Sequence, residues 1–196
     1  TFIPFDISNR DWIKRVIYTV KPEVVIYAAG KNDINWAEEN PRISEGIHTA
    51  GAGHVSTTSD IFKPKYIYVS NAYIFDGKRG NYKEDDIVLP WTTLGKNKLN
   101  SENYIRGRSL NHIIVRTGPL FGRGNGKNLS FLDQLRIRLE NGERIELPEN
   151  ELHGFAPVSG FVDLVAKLIE SGPRNKVLHY GGITKTSTYE FAVLFA

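Results

Sequence analysis

Three short β-branched runs, each followed by a helix-length stretch, constrain this chain more than any other feature. They are EVVIYAAG (23–30), KYIYVS (65–70) and HIIVRT (112–117). Continuous apolar runs of this length, ending in small or polar residues, read as buried strands. Between and before them lie helix signals. Ser8 can cap NRDWIKRVIYTV, Pro41 can open a helix towards Asp60, and Thr92 or Thr93 can begin one that runs to about Arg106. Strand and helix in alternation predict an α/β fold: a doubly wound parallel sheet with helices on both faces and right-handed crossovers. The expected central strands are 24–28, 67–70 and 113–116, with Ser70 at a carboxyl edge. In open parallel sheets ligands sit beyond that edge.

After Thr117 the texture changes. A glycine-rich stretch, GPLFGRGNGKN, precedes an amphipathic helix over 129–140, a short strand RIEL, a helix over 159–170, a strand KVLHYGG and a helix start STYEFAVLFA. The expected organisation is therefore a sheet domain over 1–117, and over 118–196 segments of a small, incomplete second lobe interleaved with the last sheet strands. A composition of 40% apolar and 24% charged residues is ordinary for a soluble globular protein. No apolar run approaches the ~20 residues that span a bilayer, and no signal-peptide pattern opens the chain, so a cytoplasmic protein without membrane contact is expected. The formal charge of +3 is dispersed among nearly as many acids, which argues against a nucleic-acid partner. Without cysteine there is no disulfide or thiolate metal site, and the five histidines lack zinc-helix spacing, so no metal is expected. The absence of methionine from 196 residues sets the expectation of a piece of a longer chain.

Local motifs are modest. The glycine loop 122–128 fails the P-loop template, because Phe121 stands five before Gly126 and Asn128 replaces the Ser or Thr that meets magnesium. A solvated turn is the simpler reading, and the sequon NLS at 128–130 reads as chance. SNAYIFDG (70–77) follows a strand directly and so lies where ligands bind; equally, Asp76-Gly77 is a turn pair, with Tyr73 and Phe75 as core. Leu94 and Lys98 share a helix face, and Lys98 stands four before Glu102. Taken alone, that last pair reads as a surface ion pair worth a few tenths of a kcal/mol.

Together, DISNRDWIKRVI, KPEVVIYAAG, AEENP, YIYVSNAYIFDGKRGNYKEDDIVLP, LGKNKLNSE, VRTGPLFG and STYEFA occur in an order that resembles the dTDP-4-dehydrorhamnose reductase family of extended short-chain dehydrogenases/reductases. The likeness runs over essentially the whole sequence and is most specific from Tyr66 to Glu102. It implies a Rossmann-type domain for NADP or NAD, a smaller lobe for a nucleotide sugar, and hydride transfer to a 4-keto sugar while a tyrosine supplies the proton. Lys98 matches the family's lysine, which holds the nicotinamide ribose and lowers the tyrosine pKa. Leu94 takes the tyrosine position, Asn71 the place of the usual threonine, Ala72 that of the usual Asp, and His48 that of an asparagine supporting the lysine through water; Ser70 is retained. By this resemblance Ala28, Ala29, Gly30, Ser70 and Lys98 line the cofactor cleft, and Lys98, Ser70 and Asn71 form a degenerate catalytic set. The sequence given opens at TFIPFDIS, which matches the segment after the family's first strand and glycine-rich turn. Three functions follow as expectations: an impaired reductase, a regulatory or binding subunit on the same fold with a protein partner or as a homodimer, and an enzyme with a relocated acid among Glu84, Asp85 and Asp86.

Overall fold

The structure is a computed structural model and describes residues 2–108, 111–124 and 129–196. Along the chain run α1 (Arg10–Val20), β1 (Val24–Tyr27), α2 (Ile34–Glu39), α3 (Pro41–Glu45), α4 (Ala52–Ser59), β2 (Lys65–Asn71), α5 (Thr93–Arg108) and β3 (His112–Thr117). There follow β4 (Leu120–Phe121), α6 (Phe131–Glu140), β5 (Leu152–His153), β6 (Ala156–Pro157), α7 (Val158–Ser171), β7 (Lys176–Tyr180), β8 (Thr186–Ser187) and α8 (Thr188–Phe195). Two compact units result. One comprises Thr1–Arg116 with Gly172–His179, the other Thr117–Ser171 with Tyr180–Ala196.

The first unit is built on a parallel sheet in the order β1-β2-β3-β7. β1 and β2 pair in parallel with Tyr27 opposite Tyr68, so Ala28–Gly30 leave the sheet at the carboxyl edge beside Val69–Asn71, the last residues of β2. All six residues of β3 are buried, as a strand covered on both faces requires. Ile13, Ile17, Tyr27, Ala52, Val55, Tyr66, Tyr68, Ile105 and Ile114 form one core cluster. Tyr27 and Tyr66 enter it whole because their hydroxyls donate to the Ile47 and Ala52 carbonyls, at 2.6 and 3.1 Å.

Several local expectations are corrected. Asn9, not Ser8, caps α1, accepting from the amides of Asp11 and Trp12; Ser8 instead turns back to Asp6. The single helix expected from Pro41 is α3, a π-helical turn over Gly46–Gly51, α4, and a 3-10 turn over Asp60–Phe62. The short helix α2, capped by Asp33, was not foreseen. RIEL forms no strand: residues 143–148 have no regular structure, although Ile145 and Leu147 are partly buried.

In the second unit, β4 pairs with β6 in parallel and β5 with β8 antiparallel. Both α6 and α8 begin with capping boxes, Ser130 with Asp133 and Ser187 with Glu190. Phe155 stacks on Phe191 at 4.1 Å between ring centres, and Phe121 packs on the same ring. The glycine loop expected over 122–128 lies outside the described residues from 125 to 128, as does Asn128 of the sequon.

Candidate functional site

Lys98 is the residue around which the carboxyl edge is organised. α5 buries Leu94, Lys98, Ser101 and Glu102, so the face that carries the lysine is the face turned to the sheet. Lys98 is 5% exposed; its Nζ donates to Val69 O at 2.9 Å and lies 5.2 Å over the Tyr68 ring. Burial lowers its pKa to about 8, although the Glu102 carboxylate acts to raise it. Two of its three donors have no protein acceptor among the described residues.

Position 94 is closed. Leu94 is 0% exposed, and its neighbour Gly95 lies so close to the Tyr73 carbonyl, in the 3-10 turn Ala72–Ile74, that a Cβ there would overlap it. The turn therefore lies directly against the start of α5. Asn71 makes that turn: its side chain accepts from the Tyr73 amide at 3.1 Å and donates to Asn32 Oδ1 at 2.8 Å, tying the loop after β2 to the loop after β1.

His48 and Gly30 pack against each other at the same edge. His48, 1% exposed, sits in the π-helical turn, and its Nε2 bonds Lys31 O at 3.1 Å. Its Nδ1 is buried with no partner among the described residues. Burial, with the Lys98 charge in second place, depresses its pKa to about 4. Gly30 has φ +114°, and a Cβ on it would overlap the imidazole. Its missing side chain is thus taken up by His48, while Ala28 is exposed and Ala29 partly so.

Ser70 does not face this edge. It is 1% exposed, and its hydroxyl donates to Glu102 Oε1 at 2.6 Å. Glu102 is 0% exposed and receives Arg116 through Nε at 3.1 and 3.2 Å and through NH2 at 2.8 Å. The surface pair of Lys98 with Glu102 that spacing suggested is replaced by a buried Ser70–Glu102–Arg116 network. Sequence reading missed it, though an arginine inside the apolar run HIIVRT was the available signal: a buried guanidinium must have a buried acceptor. Phe75 is buried core, whereas Tyr73 is half-buried.

Among the described residues no group of acids or histidines could hold a metal ion, and no helix is long and apolar enough to cross a membrane.

Residues 3–196 of the chain, which include this edge, match the RmlD substrate binding domain family. The chain belongs to that family. It is 28% identical over 199 residues to the dTDP-4-dehydrorhamnose reductase of Aggregatibacter actinomycetemcomitans, covering 98% of this chain and 66% of that protein. Methionine adenosyltransferase 2 subunit beta of Bos taurus is 26% identical over 121 residues, covering 62% of this chain and 36% of that protein. The chain thus spans about two thirds or less of these curated relatives. The crystal structure of dTDP-4-dehydrorhamnose reductase from Bacillus anthracis in complex with NADP has the same fold, with a TM-score of 0.91 at 23% identity over 97% of this chain and 67% of that one.

Proposed function

We propose that the chain is part of a dTDP-4-dehydrorhamnose reductase-like protein that binds a nicotinamide cofactor, NADP or NAD, and a nucleotide-linked 4-keto-6-deoxy sugar at the carboxyl edge of β1 and β2, with proton delivery impaired. The residues fit such a cofactor. Lys98 presents two donors with no acceptor among the described residues, suited to ribose hydroxyls, and Ala28, exposed, and Ala29, partly exposed, put only small side chains directly after β1. A bound reduced nicotinamide supplies hydride; the protein must hold the ketone and supply the proton.

The observation that carries the impairment is Leu94: an apolar, fully buried side chain one helical turn before Lys98. General-acid catalysis contributes about 10²–10⁴-fold, and leucine has no proton to give. Ser70 and Asn71 do not replace it, since the first is committed to Glu102 and the second to Asn32 and the turn. Glu84 is likewise engaged, accepting from the His179 amide at 2.9 Å, and Asp86 accepts from Lys83 and Arg79, which weighs against a relocated acid there.

The test uses the full-length protein. Calorimetry should give NADPH or NADH binding, and the wild type should oxidise it on a dTDP-4-keto-6-deoxy sugar slowly or not at all. Leu94→Tyr should raise that rate, because Lys98 would favour the phenolate one turn away. Robust wild-type turnover overturns the impaired reading.

A second reading, a regulatory or binding subunit, is supported by the likeness to methionine adenosyltransferase 2 subunit beta together with Leu94. It predicts cofactor binding with no turnover in either protein.

A further inference from the structure

Residues 76–86 leave the carboxyl edge just beyond the 3-10 turn Ala72–Ile74 and fold largely on their own side chains. Tyr82 Oη donates to Asp76 and stacks on Phe75 at 4.3 Å; Arg79 bonds Asp86; the Lys83 amide donates to Asp86 Oδ2 at 2.7 Å. His179 and Arg116 hold this loop to the sheet. His179 of β7 donates its backbone N–H to Glu84 Oε1 at 2.9 Å, its Nδ1 lies 3.1 Å from Tyr82 O, and its Nε2 lies 3.4 Å from Arg116 NH1. The same NH1 donates to Glu84 O at 3.2 Å, and the ring meets the edge of Phe75 at 5.7 Å.

Donor and acceptor logic fixes the state of this ring. Tyr82 O can only accept, so Nδ1 carries the hydrogen; a guanidinium can only donate, so Nε2 must offer its lone pair. Only the neutral Nδ1–H imidazole satisfies both. A proton on Nε2 would set N–H against N–H and place two cations side by side, pushing away the guanidinium nitrogen that also holds Glu84 O.

We propose that His179 is a pH-sensitive pin: neutral, it fastens the loop 76–86 to β7 and β3, and protonated, it releases that loop. Among the described residues the charged groups acting on it are Arg116, Glu84 and Glu102. Arg116 on β3 opposes the proton, while Glu84 on the loop and Glu102 on α5 favour it; burial and Arg116 together prevail, so the histidine titrates below its usual value of 6.5. The pin is therefore closed at and above neutral pH and opens as pH falls below that value. It goes beyond the proposed activity, because the loop's attachment does not depend on what the edge binds.

Amide hydrogen exchange on the protein, at pH 7.5 and 5.5 and corrected for intrinsic rates, reads the pin directly. The loop amides should lose about threefold or more of their protection at pH 5.5 while those of β3 and α5 keep theirs. His179→Gln, whose amide can donate to Tyr82 O and accept from Arg116 without titrating, should keep the loop equally protected at both pH values. Unchanged wild-type protection at pH 5.5, a loss shared equally by β3 and α5, or the same loss in His179→Gln overturns the proposal. If the variant does not fold, the wild-type comparison of loop with sheet still decides it.

Discussion

Glu102 offers the sharpest test of how the first unit is held together. It joins three elements, α5 through its own backbone, β2 through Ser70 and β3 through Arg116, and both charged partners are nearly sealed from water, at 0% and 4% exposure. Desolvation makes such a pair costly to form, but breaking it is costlier, since the survivor stays buried and uncompensated: about 3–5 kcal/mol. Glu102→Gln keeps the shape and a hydrogen-bond acceptor yet leaves the Arg116 charge unopposed, so the loss should fall in that range. For a chain of this length it corresponds to roughly 6–20 °C in melting temperature. Replacing both partners, Glu102→Met with Arg116→Leu, removes the stranded charge and should recover most of the loss. Urea denaturation of Glu102→Met, Arg116→Leu and the double variant closes a double-mutant cycle. A loss below about 1 kcal/mol in Glu102→Gln, comparable to an exposed pair, would refute the reasoning, and so would additive losses in the double variant.

Two further outcomes follow from the Gly30–His48 contact. Gly30→Ala combines a side chain at φ +114° with overlap on the imidazole, so it should destabilise by about 1–2 kcal/mol for the backbone and about 1–3 kcal/mol for overpacking; adding His48→Ala should return only the second part, as melting curves would show. Acid should act through the same histidine: with the folded pKa at about 4 against 6.5, the unfolded chain binds the extra proton between these values, so the contribution is fully present above pH 6.5 and roughly 3 kcal/mol is lost as pH falls towards 4. The difference between wild type and His48→Asn across that window isolates it from His54 and His179, which are also depressed.

Period and punctuation in the sequence determined the sheet. KYIYVS and HIIVRT could not be strands of a one-sided sheet without exposing half of their apolar residues, so a parallel sheet with buried central strands followed from local pattern alone, whereas VVIY leaves Ile26 47% exposed in β1. The four-residue spacing placed Leu94, Lys98 and Glu102 on one helix face for the same reason: it depends only on backbone geometry. What each polar side chain does with its hydrogen bonds was decided by tertiary structure. Ser70 lies near the end of β2 at the ligand edge, yet its hydroxyl turns inward, because a carboxylate from α5 and a guanidinium from β3, 32 and 14 residues distant in sequence from the partner each contacts, meet beneath it. Asn71 stands at a position that resemblance assigns to catalysis but spends its amide on Asn32, 39 residues away. Helix interruptions were hidden likewise: nothing in PRISEGIHTAGAGHVSTTSD announces a π-helical turn, and that turn is what sets His48 over Gly30. Secondary structure is legible because its periods are local; partners of buried polar groups are not, since desolvation forces each to be satisfied by whatever the fold brings within about 3 Å.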